Sequence, residues 1–170
     1  QADAVVLAAW RDDAAAFNEA YRQCLQRHGR ARADVPWFAG QMIMIERNDY
    51  ALNVFNGDIG LVLPDKENAG ALAAWFAAAE GYRSIPLSRL SAHSPAFAIT
   101  VHKSQGSEFT HAALVLPAYG GSVLGRELVY TGITRAKAQC TVFTQHPKVL
   151  AQALAQPTQR HSGLLEFFDS

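Results

Sequence analysis

The chain opens on a continuous apolar run, Ala4 to Trp10 (AVVLAAW), closed by the polar Arg11-Asp12-Asp13, and that texture predicts a parallel strand buried on both faces. Asp12 or Asp13 suits a helix cap there. Phe17, Tyr21, Cys24 and Leu25 then fall on one helical stripe between Ala14 and His28, and Gly29 is placed to stop it, which makes a β-α unit. After the loop ARADVPW, QMIMIERND reads as a strand, YALNVF as a connector, and Asn56-Gly57 as a tight turn before the strand IGLVLP.

Ala69 to Glu80 (AGALAAWFAAAE) is a helix on propensity alone. Glu80-Gly81 and the strand-like YRSIPLSRL that follow favour instead a hairpin of LAAWFAA with YRSIPL, and the helix stays as the alternative. If the segment is a strand, Trp75 and Phe76 point to opposite faces, so one at most is exposed.

Beyond it, AFAIT, HAALVLP (His111 to Pro117) and CTVFTQ (Cys140 to Gln145) are further strands. GRELVYTGITRAK is a helical segment between the last two, PKVLAQALAQ a helix opened by Pro147, and SGLLEFFDS a short amphipathic close. The alternation predicts an α/β fold, with residues 1–40 and 95–170 forming one discontinuous layer interrupted by a β-rich insert over 41–94.

Composition changes this picture mainly by exclusion. With 170 residues, 49% of them hydrophobic, the chain can bury one ordinary core with a small second lobe. Lys plus Arg equals Asp plus Glu at 15 each, so any contact with a polyanion has to be local. Cys24 and Cys140 stand apart from each other and from any His pair at metal spacing, against a disulfide framework or a zinc site. No apolar run approaches the roughly 18 to 20 residues of a membrane helix, and the expectation is a soluble, cytoplasmic protein without a membrane partner or a metal site of its own. The abrupt start in an apolar strand, without an initiator Met, is expected of a piece of a longer chain.

Two stretches carry candidate chemistry. Residues 99–109, ITVHKSQGSEF, crowd Thr100, His102, Lys103, Gln105 and Glu108 around Gly106 directly after a buried strand. Residues 127–137, ELVYTGITRAK, put Tyr130 and Thr134 on one helix face with Arg135 beside them. An Arg at the end of a rigid helix suits charge neutralisation at a phosphate, while taken alone it reads equally as a surface residue. A GxxxxGK[ST] phosphate loop is absent from these residues: none of the 12 glycines precedes a Lys.

TVHKSQGSEF and VYTGITRAK resemble motifs V and VI of superfamily-one DNA helicases. The resemblance is closest to the RecD family, the alpha subunits of exodeoxyribonuclease V (the RecBCD complex). VLAAWRDD, PWFAGQMIMIERNDYALNVFNGDIG, PLSRL and RHSGLLEFF fit it in order, over nearly the whole chain. It implies the second RecA-like, P-loop NTPase-type motor domain, a parallel sheet with flanking helices carrying a small inserted SH3-like β barrel. A first, N-terminal RecA-like domain of the same parent chain would supply the phosphate loop, ATP with Mg2+ would sit between the two, and this chain alone would be inactive. Implied partners are single-stranded DNA and the RecB and RecC subunits, in repair and recombination of double-strand breaks with an associated nuclease.

By motif, Arg135 resembles the arginine finger and Arg11 the motif IV arginine, both facing the γ-phosphate. Gly106 and Glu108 lie on the nucleotide side, with Glu108 accepting from a ribose hydroxyl, orienting Arg135 or serving as a helix cap. The resemblance implies that Thr100, His102, Lys103 and Gln105 face single-stranded DNA. Asn56, in FNGDIG, is a hairpin turn residue with a possible DNA-side role. The rival class is a non-catalytic interaction module, a RecA-like frame whose barrel binds a partner protein.

Overall fold

The computed structural model describes residues 4–66, 68–119, 121 and 124–155. Two sheets organise them. The first is parallel, in the order β7 (Ala98–Thr100), β1 (Ala4–Ala8), β8 (Phe109–Val115), β9 (Ala136–Phe143). The second is antiparallel, in the order β5 (Tyr82–Pro86), β4 (Leu72–Ala77), β3 (Ile59–Pro64), β2 (Met42–Ile45), β6 (His93–Pro95). The helices are α1 (Arg11–Arg27), α2 (Arg126–Ile133) and α3 (Pro147–Ala155).

The parallel sheet has its own core. Val5, Leu7, Ala112 and Leu114 come from the two central strands, and Leu128, Val129, Val149 and Ala153 from α2 and α3. Close approach of α2 to β8 depends on Gly132, where an added Cβ would stand 3.0 Å from the Leu114 side chain. The antiparallel sheet encloses a second core of Ile43, Ile45, Val54, Val62, Ala74, Phe76 and Ile85. There the Phe76 ring lies over Gly60, its cross-strand neighbour, where a Cβ would meet it at 2.6 Å.

The favoured hairpin is present, while several element boundaries differ from the pattern-based expectation. The Ala-rich stretch is a hairpin, Ala73 to Ala77 of β4 pairing with β5, because the two ladders β3-β4 and β4-β5 supply hydrogen bonds and burial that outweigh alanine's modest helix preference. Phe76 is buried and Trp75 half-buried on the other face, with Lys66 Nζ 5.3 Å from the Trp75 ring centre. Helix α1 begins at Arg11, so Asp12 and Asp13 occupy its first turn instead of capping it, favourable against the helix dipole. Its stop at Gly29 has φ +67 and backbone bonds from His28, Gly29 and Arg30 to the last turn. Strand β9 starts at Ala136, earlier than its apolar run, since parallel pairing to β8 draws in Lys137 to Gln139, which an edge strand can leave in water. The predicted close SGLLEFFDS lies outside the described residues. No helix among the described residues is long and apolar enough to cross a membrane.

Candidate functional site

The polar segment 100–108 leaves the carboxyl end of β7 and returns to the amino end of β8, so it runs the height of the parallel sheet. Its internal bonds account for part of its polarity. Thr100, 7% exposed, accepts from the Lys103 backbone N–H at 3.2 Å, and Ser104, fully buried, donates its hydroxyl to the Val101 carbonyl at 2.7 Å. Gly106 has φ +85, a left-handed turn that glycine adopts without Cβ strain. His102 and Gln105 are exposed.

At its start the segment borders a cleft of about 600 Å³ at the carboxyl ends of β1 and β7, lined among others by Arg11, Glu46, Asn56, Thr100 and Lys103. Lys103 Nζ reaches Glu46 Oε1 at 3.0 Å. That contact, with the Ser94 hydroxyl and the nearby Arg11 charge, holds the Glu46 carboxyl below its ordinary range. At its end the segment borders a second cleft of about 460 Å³, lined by Gly57, Asp58, Gly106, Ser107, Glu108 and Arg135. The turn between β2 and β3 follows the same division, Asn56 on the first cleft and Gly57-Asp58 on the second. Asp58 shapes that turn by accepting from the Phe55 N–H at 2.8 Å, and Asn48 accepts from the Asn56 N–H at 2.8 Å.

Arg135 follows the end of α2 and is held by backbone. Its Nε donates to Thr131 O at 3.2 Å and its Nη1 to Ser107 O at 3.2 Å, while Nη2 lies 3.4 Å from the Thr134 hydroxyl. Glu108 does not orient it: that carboxylate pairs with Lys137 Nζ at 3.2 Å. The structure does not bring Arg11 and Arg135 together. Arg11 follows the carboxyl end of β1, whereas Arg135 precedes the amino end of β9, and in a parallel sheet these are opposite ends. The seven residues of β8 between those ends span roughly 20 Å.

Three residues of the site escaped pattern reading. Asn18 of α1 clamps β7, donating to Ala98 O at 2.8 Å and accepting from Ala98 N at 2.9 Å, so its amide acts as one more strand partner. Glu46 and Ser104 complete the Lys103 pair and the segment's inner face. A single polar residue at a helix or strand position carries no periodic signal, and only the long-range packing reveals these roles. Among the described residues no group of three or more His, Cys, Asp or Glu could hold a metal ion.

With this geometry in hand, the likenesses to known proteins are specific. Residues 95–143, which include both motifs, match the model of the UvrD-like helicase C-terminal domain. The fold resembles that of a Bacteroides Pif1 helicase crystallised with ADP-AlF3 and ssDNA, with a TM-score of 0.58 and 16% identity over 98% of this chain and 44% of that one. The fold and the matched segment are those of a helicase C-terminal domain of RecA-like architecture. RecBCD enzyme subunit RecD of Haemophilus influenzae is 45% identical over 133 residues, 78% of this chain and 19% of that protein. The Mycobacterium tuberculosis RecD subunit is 38% identical over 129 residues, 76% of this chain and 22% of that protein. The chain belongs to the RecD family of superfamily-one helicases, and it spans about a fifth of the length of these relatives.

Proposed function

We propose that this chain is the second motor half of an ATP-driven DNA helicase subunit of RecBCD type, acting in double-strand-break repair. One observation carries the reading: a single segment, 100–108, borders two separate clefts, one bearing Arg11 and Lys103 and the other Arg135. A motor needs such a link, since closure on nucleotide at one site has to change the grip on a strand at the other.

In this reading Arg135 is the finger that meets the γ-phosphate of ATP, with Gly106 and Glu108 beside it. Arg135 is the cation lining this cleft, beside Asp58 and Glu108, and it is already oriented by its bonds to Thr131 O and Ser107 O. ATP would supply the phosphoryl group transferred to water, and Mg2+ would help neutralise its charge. The metal ligands and the phosphate loop come from an N-terminal RecA-like domain of the parent. Thr100, His102, Lys103, Gln105 and Asn56 contact single-stranded DNA through its phosphates, which calls for charge and hydrogen bonds without base identity. Arg11, given its place at the first cleft, joins this set in preference to the γ-phosphate. The antiparallel sheet is read as an SH3-like barrel over 41–94, inserted between residues 1–40 and 95–170.

Arg135→Ala in the parent enzyme is expected to lower DNA-stimulated ATP turnover by about 10³-fold or more. Turnover within about twofold of wild type would sink the finger assignment. The 170-residue chain alone is expected to show no ATP hydrolysis.

A specific surface favours a second reading, a protein-binding module. An apolar groove of about 1140 Å³ lies between α1 and the antiparallel sheet, lined in part by Phe17, Tyr21, Leu61, Trp75 and Tyr82. Binding of the chain to RecB or RecC with no salt-sensitive binding to oligo-dT would select that reading over the first.

A further inference from the structure

Lys103 is the cation best placed to hold a strand in the first cleft, yet in the free chain it is already paired. Its partner, Glu46, extends from the end of β2 in the antiparallel sheet, 57 positions away in sequence. The backbone of Glu46 is anchored, and its carboxylate has a second partner. The Glu46 N–H donates to Ala92 O at 2.8 Å, and the Ser94 hydroxyl hydrogen-bonds the carboxylate. Lys103 sits on a flexible four-carbon stem.

The pair has little structural value, because both side chains are more than a third exposed, at 36% and 41%, and such pairs contribute little to folding. Its position matters more. A carboxylate lies in the same cleft as Arg11, Asn56 and Thr100, where it opposes the entry of any other anion. Arg22, on the same cleft, is committed to the carbonyls of Val35 and Pro36. Arg11 and Lys103 are therefore the cleft's cations left for a phosphate, and Glu46 stands in the field of both.

We propose that Glu46 is an internal competitor for the backbone phosphate of single-stranded DNA: it holds Lys103 in the free chain and yields it when a phosphate enters. The inference rests on the DNA-binding reading above and adds a role for the antiparallel sheet. Through Glu46 the sheet sets how readily the first cleft releases its strand, a useful property in a motor that has to let go at each step.

The test measures binding of fluorescent oligo-dT to the whole 170-residue chain over a range of salt concentrations, for wild type, Glu46→Gln, Lys103→Gln and the double variant, with thermal melting as a check on folding. Glu46→Gln is expected to tighten binding roughly two- to fivefold, and to tighten it far less when Lys103 is already Gln. Unchanged or weaker binding by a folded Glu46→Gln overturns the proposal. So does an equal gain in both backgrounds, which would reduce Glu46 to a general negative charge. Absence of salt-sensitive binding in all four proteins overturns the DNA-binding reading itself and the competitor with it.

Discussion

The two clefts on segment 100–108 hold their cations in opposite ways. Arg135, at the second cleft, is oriented by two backbone carbonyls and a hydroxyl, so its fork is set before any ligand arrives. Lys103, at the first, has a half-exposed and exchangeable carboxylate partner on another sheet. A group that stabilises charge developing in a transition state gains from being oriented beforehand, since no reorganisation is then needed during reaction. A group that grips and releases a strand gains from a partner it can exchange. One short segment thus joins a fixed cation to a movable one.

The comparison breaks most sharply at the arginine. Beyond the loss expected for Arg135→Ala, Arg135→Lys in the parent enzyme is expected to lose about 10²-fold or more of ATP turnover, because an ammonium cannot reproduce the fork held by Thr131 and Ser107. Lys103→Arg is expected to leave DNA affinity within about threefold, since a phosphate grip needs charge more than shape. Comparable losses for the two exchanges, measured as turnover and oligo-dT affinity, would erase the contrast.

Stability measurements sharpen it further. Gly106→Val, at φ +85, is expected to cost about 2 kcal/mol in denaturant unfolding and to disturb the approach to the second cleft. Ser104→Ala removes the buried hydroxyl's bond to Val101 O and is expected to cost about 1 kcal/mol, with both clefts affected alike.

The smallest effect is at Glu46. A carboxyl held below its ordinary range contributes stability that is complete above its unfolded-state value and lost as pH falls through its folded-state value. Between about pH 5 and pH 3, wild type is expected to lose about 0.5 kcal/mol more than Glu46→Gln, read from thermal melts across that range. An equal loss in the two proteins would remove the ion pair from the account.

Legibility followed the range of the interactions. The buried strand AVVLAAW, the helix after it and the hairpin at 72–86 follow from local texture and turn residues, and the structure has all three. The polar stretch 99–109 stood out because polar variety beside a buried strand is rare. Its division between two clefts did not, because two of its polar side chains serve the segment itself and the rest divide according to which strand end they lie near. The separation of Arg11 from Arg135 was equally hidden, for motif matching orders residues along the chain and says nothing about which end of a strand each one occupies.

By itself the sequence determined the strand and helix types of the strongly patterned segments, since hydrophobic period and turn chemistry are local properties, and the likeness of its motifs to those of known helicases pointed to the family and the candidate cations. Only the tertiary structure decided that Lys103 faces Glu46, that Asn18 completes the edge of β7, and that the two arginines lie at opposite ends of a parallel sheet. Those facts depend on strand order and direction, which arise when distant segments bury their apolar faces against one another.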